Sequence, residues 1–80
     1  MSRHEKTKRR VLRRGTEAAI AFDDLRRMLL HVGFAERTRG SHHVFTRDGV
    51  VEIINLQRSG SMAKPYQVRQ VRAVLLRYDL

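Results

Sequence analysis

Gly40-Ser41-His42-His43-Val44-Phe45 is the stretch on which the reading of this chain turns. A Gly-Ser pair between two runs of strand character suits a two-residue type II′ hairpin turn, because glycine accepts the positive φ required at its first position. Phe34 to Arg39 then forms the strand before the turn, and Ser41 or His42 to Arg47 the strand after it. With a two-residue turn, Arg39 faces His42 and Arg37 faces Val44. Side chains alternate along a strand, so Arg37, Arg39, His42 and Val44 share one face, and Phe34, His43 and Phe45 share the other. Each buried phenylalanine stabilises by roughly 1.5–3 kcal/mol, so the phenylalanine face turns inward. His42 is therefore expected on an open face beside two arginines, and His43 toward the core, half-buried and hydrogen-bonded.

Upstream, Leu25, Met28, Leu29 and Val32 fall at i, i+3, i+4 and i+7, the apolar stripe of a helix. Asp23 is expected to cap that helix, and Gly33 to close it. Downstream, Asp48-Gly49 is a second hairpin signal, followed by a strand from Val50 to Leu56. A strict two-residue connection there would put Glu52 on the Phe45 face. A three-residue connection would bury Val51 and Ile53 and expose Glu52, and this register is the one favoured here. Gln57 to Lys64 reads as a polar loop. Pro65 suits the first turn of a last helix, with Val68, Val71, Leu75 and Tyr78 along one face. The order is helix, three antiparallel strands, helix. It predicts an α+β fold with both helices on one sheet face and the other face open.

The first 21 residues read as a basic N-terminal extension, leaving residues 22–80 as the main domain. Ser2 and Glu5 have capping-box spacing and predict a short helix ending near Gly15. Its apolar content is thin, so it is marginal alone. Thr16 to Ala21 is expected to be an extended connector.

Eighty residues make one domain at most, and the chain has no cysteine. Disulfides, zinc-thiolate sites and thiol nucleophiles are thereby excluded, which fits a reducing, cytoplasmic setting. No apolar run approaches the roughly 20 residues that span a bilayer, and no apolar segment adjoins the basic N-terminus as a secretory signal would require. The net charge is +9. Residues 1–14 hold seven basic side chains (Arg3, Lys6, Lys8, Arg9, Arg10, Arg13 and Arg14) against Glu5, so most of the excess lies there. Such a chain seeks polyanions. The extension either adds nonspecific nucleic-acid contact or only solubilises.

Metal-free hydrolysis of RNA needs a group to take the 2′-hydroxyl proton, a group to protonate the leaving oxygen, and cations for the developing phosphorane charge. Histidine titrates near neutrality and suits the first two tasks, while arginine suits the third. On residue pattern alone, His42 is more simply a surface histidine bonded to a turn. The second proton-transfer group is not evident: His43 points to the wrong face, and water, a basic side chain or His42 itself must complete the cycle. No Cys or carboxylate cluster accompanies the His pair, so neither a metal nor any other cofactor is expected. Ser41 has no triad around it and is a turn residue, as is Gly40. Arg69, Arg72 and Arg77 on the last helix form either a solvated face or an RNA- or partner-facing one. His4 and His31 have no readable role.

From Phe22 to its end, the chain resembles the HicA family of toxins from bacterial toxin–antitoxin pairs. The resemblance lies in Asp24-Leu25 to Leu29, in Gly33-Phe34, in Arg39-Gly40-Ser41-His42-His43-Val44-Phe45, and in Lys64-Pro65-Tyr66-Gln67-Val68-Arg69-Gln70-Val71-Arg72. It implies a small double-stranded-RNA-binding-like α-β-β-β-α fold and metal-independent cleavage of mRNA. It implies that His42, in the Gly-Ser-His motif, is catalytic, and that a HicB-type antitoxin is the inhibiting partner. Arg37, Arg39 and Lys64 are then the expected phosphate contacts. The alternative from a different class is a non-catalytic RNA-binding module of the same shape.

Overall fold

The computed structural model describes residues 2–80. Its elements are α1 (Arg3–Leu12), a 3₁₀ turn (Glu17–Ala19), α2 (Phe22–His31), β1 (Ala35–Arg39), β2 (His42–Thr46), β3 (Ile54–Gln57) and α3 (Pro65–Arg77). The strands form one antiparallel sheet in the order β1-β2-β3. Residues 22–80 thus have the expected α-β-β-β-α order, in a small α+β domain. Among the described residues, no helix is long and apolar enough to cross a membrane.

The Gly40-Ser41 turn pairs Arg39 with His42, Arg37 with Val44 and Ala35 with Thr46. Gly40 has φ +60 while Ser41 stays out of the left-handed region, which is the II′ pattern. A side chain at Gly40 would meet nothing within 4 Å, so its backbone angle alone explains the residue. Phe34 and Phe45 are buried with Leu25, Met28 and Leu29 of α2, the anticipated stripe. Val68, Val71 and Leu75 of α3 complete that core, and Tyr78 packs at its edge. Both helices cover the Phe45 face.

Three local expectations are corrected. Asp23 does not cap α2: Ala21 occupies the cap position without a side-chain hydrogen bond. The Asp23 carboxylate instead accepts from Arg58 at 2.5 Å. The connector is not extended throughout, since Glu17–Ala19 closes a 3₁₀ turn before Ile20 straightens. The third strand starts at Ile54, not Val50, and its register differs from the favoured one. Phe45 pairs with Ile54 and His43 with Leu56, so Ile54 and Leu56 are buried. Val51 and Ile53 are 84% and 63% exposed. The reason is long-range. Glu52 turns to α3, where the Tyr78 hydroxyl donates to it at 2.5 Å and Arg77 at 2.9 Å. The Asp48-Gly49 turn does form, with the Val50 amide on the Arg47 carbonyl at 3.0 Å. Residues 50–53 then pass as an irregular segment before pairing resumes.

Helix α1 begins as its sequence suggests: Ser2 accepts from the Glu5 amide at 3.2 Å. It is stabilised by docking on α2 and α3, with Val11 fully buried. Arg72 holds its far end. Nε donates to the Val11 carbonyl at 2.6 Å, and Nη2 to the Arg13 carbonyl at 3.0 Å and to Glu17 at 2.7 Å. These bonds satisfy carbonyls that a helix end leaves without intrahelical partners. Arg72 is therefore on neither a solvated nor an RNA-facing surface, and only 8% of it is exposed.

Candidate nucleic-acid interface

The sheet face away from the helices is built by alternation. Arg37 and Arg39 come from β1, His42 and Val44 from β2, and Asn55 and Gln57 from β3. His42 is the central member of a row, opposite Arg39 on one side and Gln57 on the other. Directly opposed residues in an antiparallel sheet have Cβ atoms about 4.5–5.5 Å apart, so the imidazole stands between a guanidinium stem and an amide. Arg37, Arg39, His42, Asn55 and Gln57 are all exposed, and Val44 is half-buried between them. The face includes no Asp or Glu, so its positive charge is not compensated locally.

Asn55 and Gln57 were not among the residues singled out from the sequence. In the register expected for β3, Asn55 would have pointed into the core, and Gln57 was expected in the loop after the strand; it is instead the last residue of β3. The observed register brings Gln57 to the His42 row and Asn55 to the adjoining row of Arg37 and Val44, two amides with donor and acceptor capacity, and sends Glu52 to α3. The missing signal was the Glu52–Tyr78 hydrogen bond, a contact 26 residues long in sequence.

His43 occupies the covered face, with only 7% of its surface exposed. Its Nδ1 lies 2.8 Å from Glu36 Oε2, and its ring meets the Phe22 ring edge-on at 5.1 Å between centroids. Glu36 also accepts from Arg26 Nε at 2.7 Å. Burial raises the Glu36 pKa, but the hydrogen bonds from His43 and Arg26 outweigh it and hold the carboxyl below its ordinary value of 4.5. The Glu36 carboxylate and the His43 imidazole are therefore engaged with each other beneath the sheet, away from His42.

Lys64 is exposed at the cap position of α3 and belongs to the helix layer, not to the sheet face. Its place is coupled to the site through Gln67. The buried Gln67 side chain accepts from the Lys64 amide at 3.2 Å and donates to the Gln57 carbonyl at 3.0 Å. Gln57 is the partner of His42. At the same end, the Arg58 amide donates to the Ser41 carbonyl at 2.8 Å, and the Arg58 guanidinium stacks over Phe22 at 4.5 Å. The turn that presents His42 is thus braced by β3, α2 and α3 together.

Among the described residues, no group of three or more His, Asp, Glu or Cys side chains converges. No protein-family model, curated protein or solved structure matches this chain.

Proposed function

We propose that this protein is a metal-independent endoribonuclease, an mRNA interferase of the toxin type, with His42 as its acid–base residue. The observation that carries the reading is the exposed His42 imidazole, held by a II′ turn on a sheet face with two arginines and no carboxylate. The HicA-like residues described above and the α-β-β-β-α order support the same reading.

The chemistry follows from that face. RNA phosphate lies against Arg37 and Arg39, whose guanidinium forks match its oxygens. His42 takes the proton of the 2′-hydroxyl as that oxygen attacks phosphorus. The arginines stabilise the charge that develops on the phosphoryl oxygens. The bond from phosphorus to the 5′-oxygen breaks, and the proton returns to that oxygen from the imidazolium, directly or through water. The products are a 2′,3′-cyclic phosphate and a 5′-hydroxyl. Asn55 and Gln57 orient the strand by their amides, and Lys64 adds a phosphate contact at the helix end. The proposed setting is the cytoplasm. The proposed regulator is a HicB-type antitoxin that covers the same face.

The presence of one imidazole without a second proton-transfer group on the face favours a second reading, an RNA-binding module without catalysis. Incubation of RNA with the purified protein in EDTA separates the two. Fragments ending in cyclic phosphate, absent when the substrate carries 2′-deoxy sugars, support the nuclease. Intact RNA with salt-sensitive binding supports the module.

A further inference from the structure

A second positively charged surface is carried by α1. Helices α2 and α3 cover the inner sheet face, and α1 packs on those helices as an outer layer. Thr7 and Val11 are the buried residues of α1 and define its inward side. At 3.6 residues per turn, Lys6 and Arg9 fall on the side facing away, Arg10 lies on the adjoining flank, and Arg13 follows at the C-cap. They line a shallow concavity of about 500 Å³.

The nearby carboxylates do not neutralise this stripe. Glu5 lies 3.8 Å from His31, and Glu17 is taken by Arg72 at 2.7 Å. Among the described residues, Lys6, Arg9 and Arg13 have no acidic partner. Nor is the helix a loose tail. Arg72 clamps its end, and Arg10 donates to the Ala19 carbonyl at 2.6 Å. With a rise of 1.5 Å per residue, the four cations are spread over about 10 Å of a fixed rod.

We propose that this face of α1 is a second RNA-backbone-binding surface, separate from the His42 face and occupied at the same time as it. The chemistry favours phosphate. Three of the four side chains are guanidinium groups, suited to bidentate phosphate contact. An acidic protein is a poorer fit, because protein interfaces place aromatic and apolar side chains at their centre and deplete lysine. The stripe carries no large apolar residue, and it also has nothing to insert into a bilayer. The inference shares with the proposed function only the class of ligand; its residues are different.

The test is native mass spectrometry with an unstructured RNA of about ten nucleotides, within the usual site size of single-strand binders. At low salt the wild type takes up two RNA molecules, and Arg9→Gln/Arg13→Gln takes up one. The slope of log affinity against log salt falls by about 1.4 in that variant, from two lost single-strand phosphate contacts. Glutamine keeps helix propensity, and an unchanged thermal melt certifies the fold. Arg27→Gln/Arg47→Gln loses the same charge elsewhere and retains both RNA molecules. Binding of two by Arg9→Gln/Arg13→Gln overturns the proposal and leaves the stripe to an acidic protein. An equal loss in the control also overturns it, because the effect is then net charge alone. Arg37→Gln/Arg39→Gln keeps the failures apart. If it still binds two molecules while the α1 variant binds one, the sheet-face reading fails and the α1 surface stands.

Discussion

The two faces of the sheet treat charge in opposite ways. On the covered face, Glu36, Arg26 and His43 are joined by hydrogen bonds of 2.7 and 2.8 Å, and Phe22 closes over the imidazole. On the open face, Arg39 and His42 stand in one row with Gln57, Arg37 lies in the next row with Asn55, and no carboxylate joins them. Two histidines adjacent in sequence are thereby given different work. One belongs to a paired network that holds the sheet to its helices. The other is presented to solvent among unneutralised cations, an arrangement that adds little to stability and is suited to a polyanion.

This contrast is broken most severely at Phe45. Removal of its fully buried ring by Phe45→Ala is expected to lower the unfolding free energy by about 3–5 kcal/mol, measured by urea denaturation. Val44→Ala, one residue away on the open face, should cost less than about 1.5 kcal/mol by the same measurement. A similar loss at both positions would remove the distinction between the faces.

Glu36→Gln tests the paired network next. It leaves Arg26 and His43 without their carboxylate partner, and a loss of about 1–3 kcal/mol is expected. The pH dependence carries the matching sign. The folded pKa of Glu36 is lowered, so its contribution is present above the ordinary value of 4.5 and is lost as pH falls through the folded value. Urea midpoints measured from pH 7 downward should therefore fall less steeply below about 4.5 in Glu36→Gln than in the wild type. Parallel curves would show that the network does not select the charged carboxylate.

The smallest stability effect is expected on the open face. Arg39→Gln should change the unfolding free energy by no more than about 0.5 kcal/mol. It should weaken RNA binding, and filter binding across a salt series reads that loss. A stability loss as large as that of Glu36→Gln would mean that Arg39 is a structural residue.

Much of this arrangement was legible locally. The Gly40-Ser41 turn sets the β1–β2 register, and the register sets the faces of His42 and His43. The stripe from Leu25 to Val32, the Gly33 stop, Pro65 at the start of α3 and the Ser2 cap are all short-range signals. What escaped depends on partners distant in sequence. The Glu52 register was settled by Tyr78 and Arg77. The role of Arg72 was settled by carbonyls of α1 some 60 residues away, and surface arginines carry no local mark of such a task. Asn55 was hidden by the same register error and Gln57 by its assignment to the following loop, so the open face is richer in amides than the sequence suggested.

The most direct measurement compares the adjacent histidines in one experiment. RNA cleavage in EDTA and thermal unfolding are recorded for the wild type, His42→Ala and His43→Ala. The account predicts that His42→Ala loses cleavage by a factor of about 10²–10⁴ while its melting temperature is unchanged. His43→Ala should lower the melting temperature through loss of its buried contacts to Glu36 and Phe22. Cleavage that persists in His42→Ala, or a wild type that binds RNA without cutting it, would contradict the assignment of catalysis to the open face.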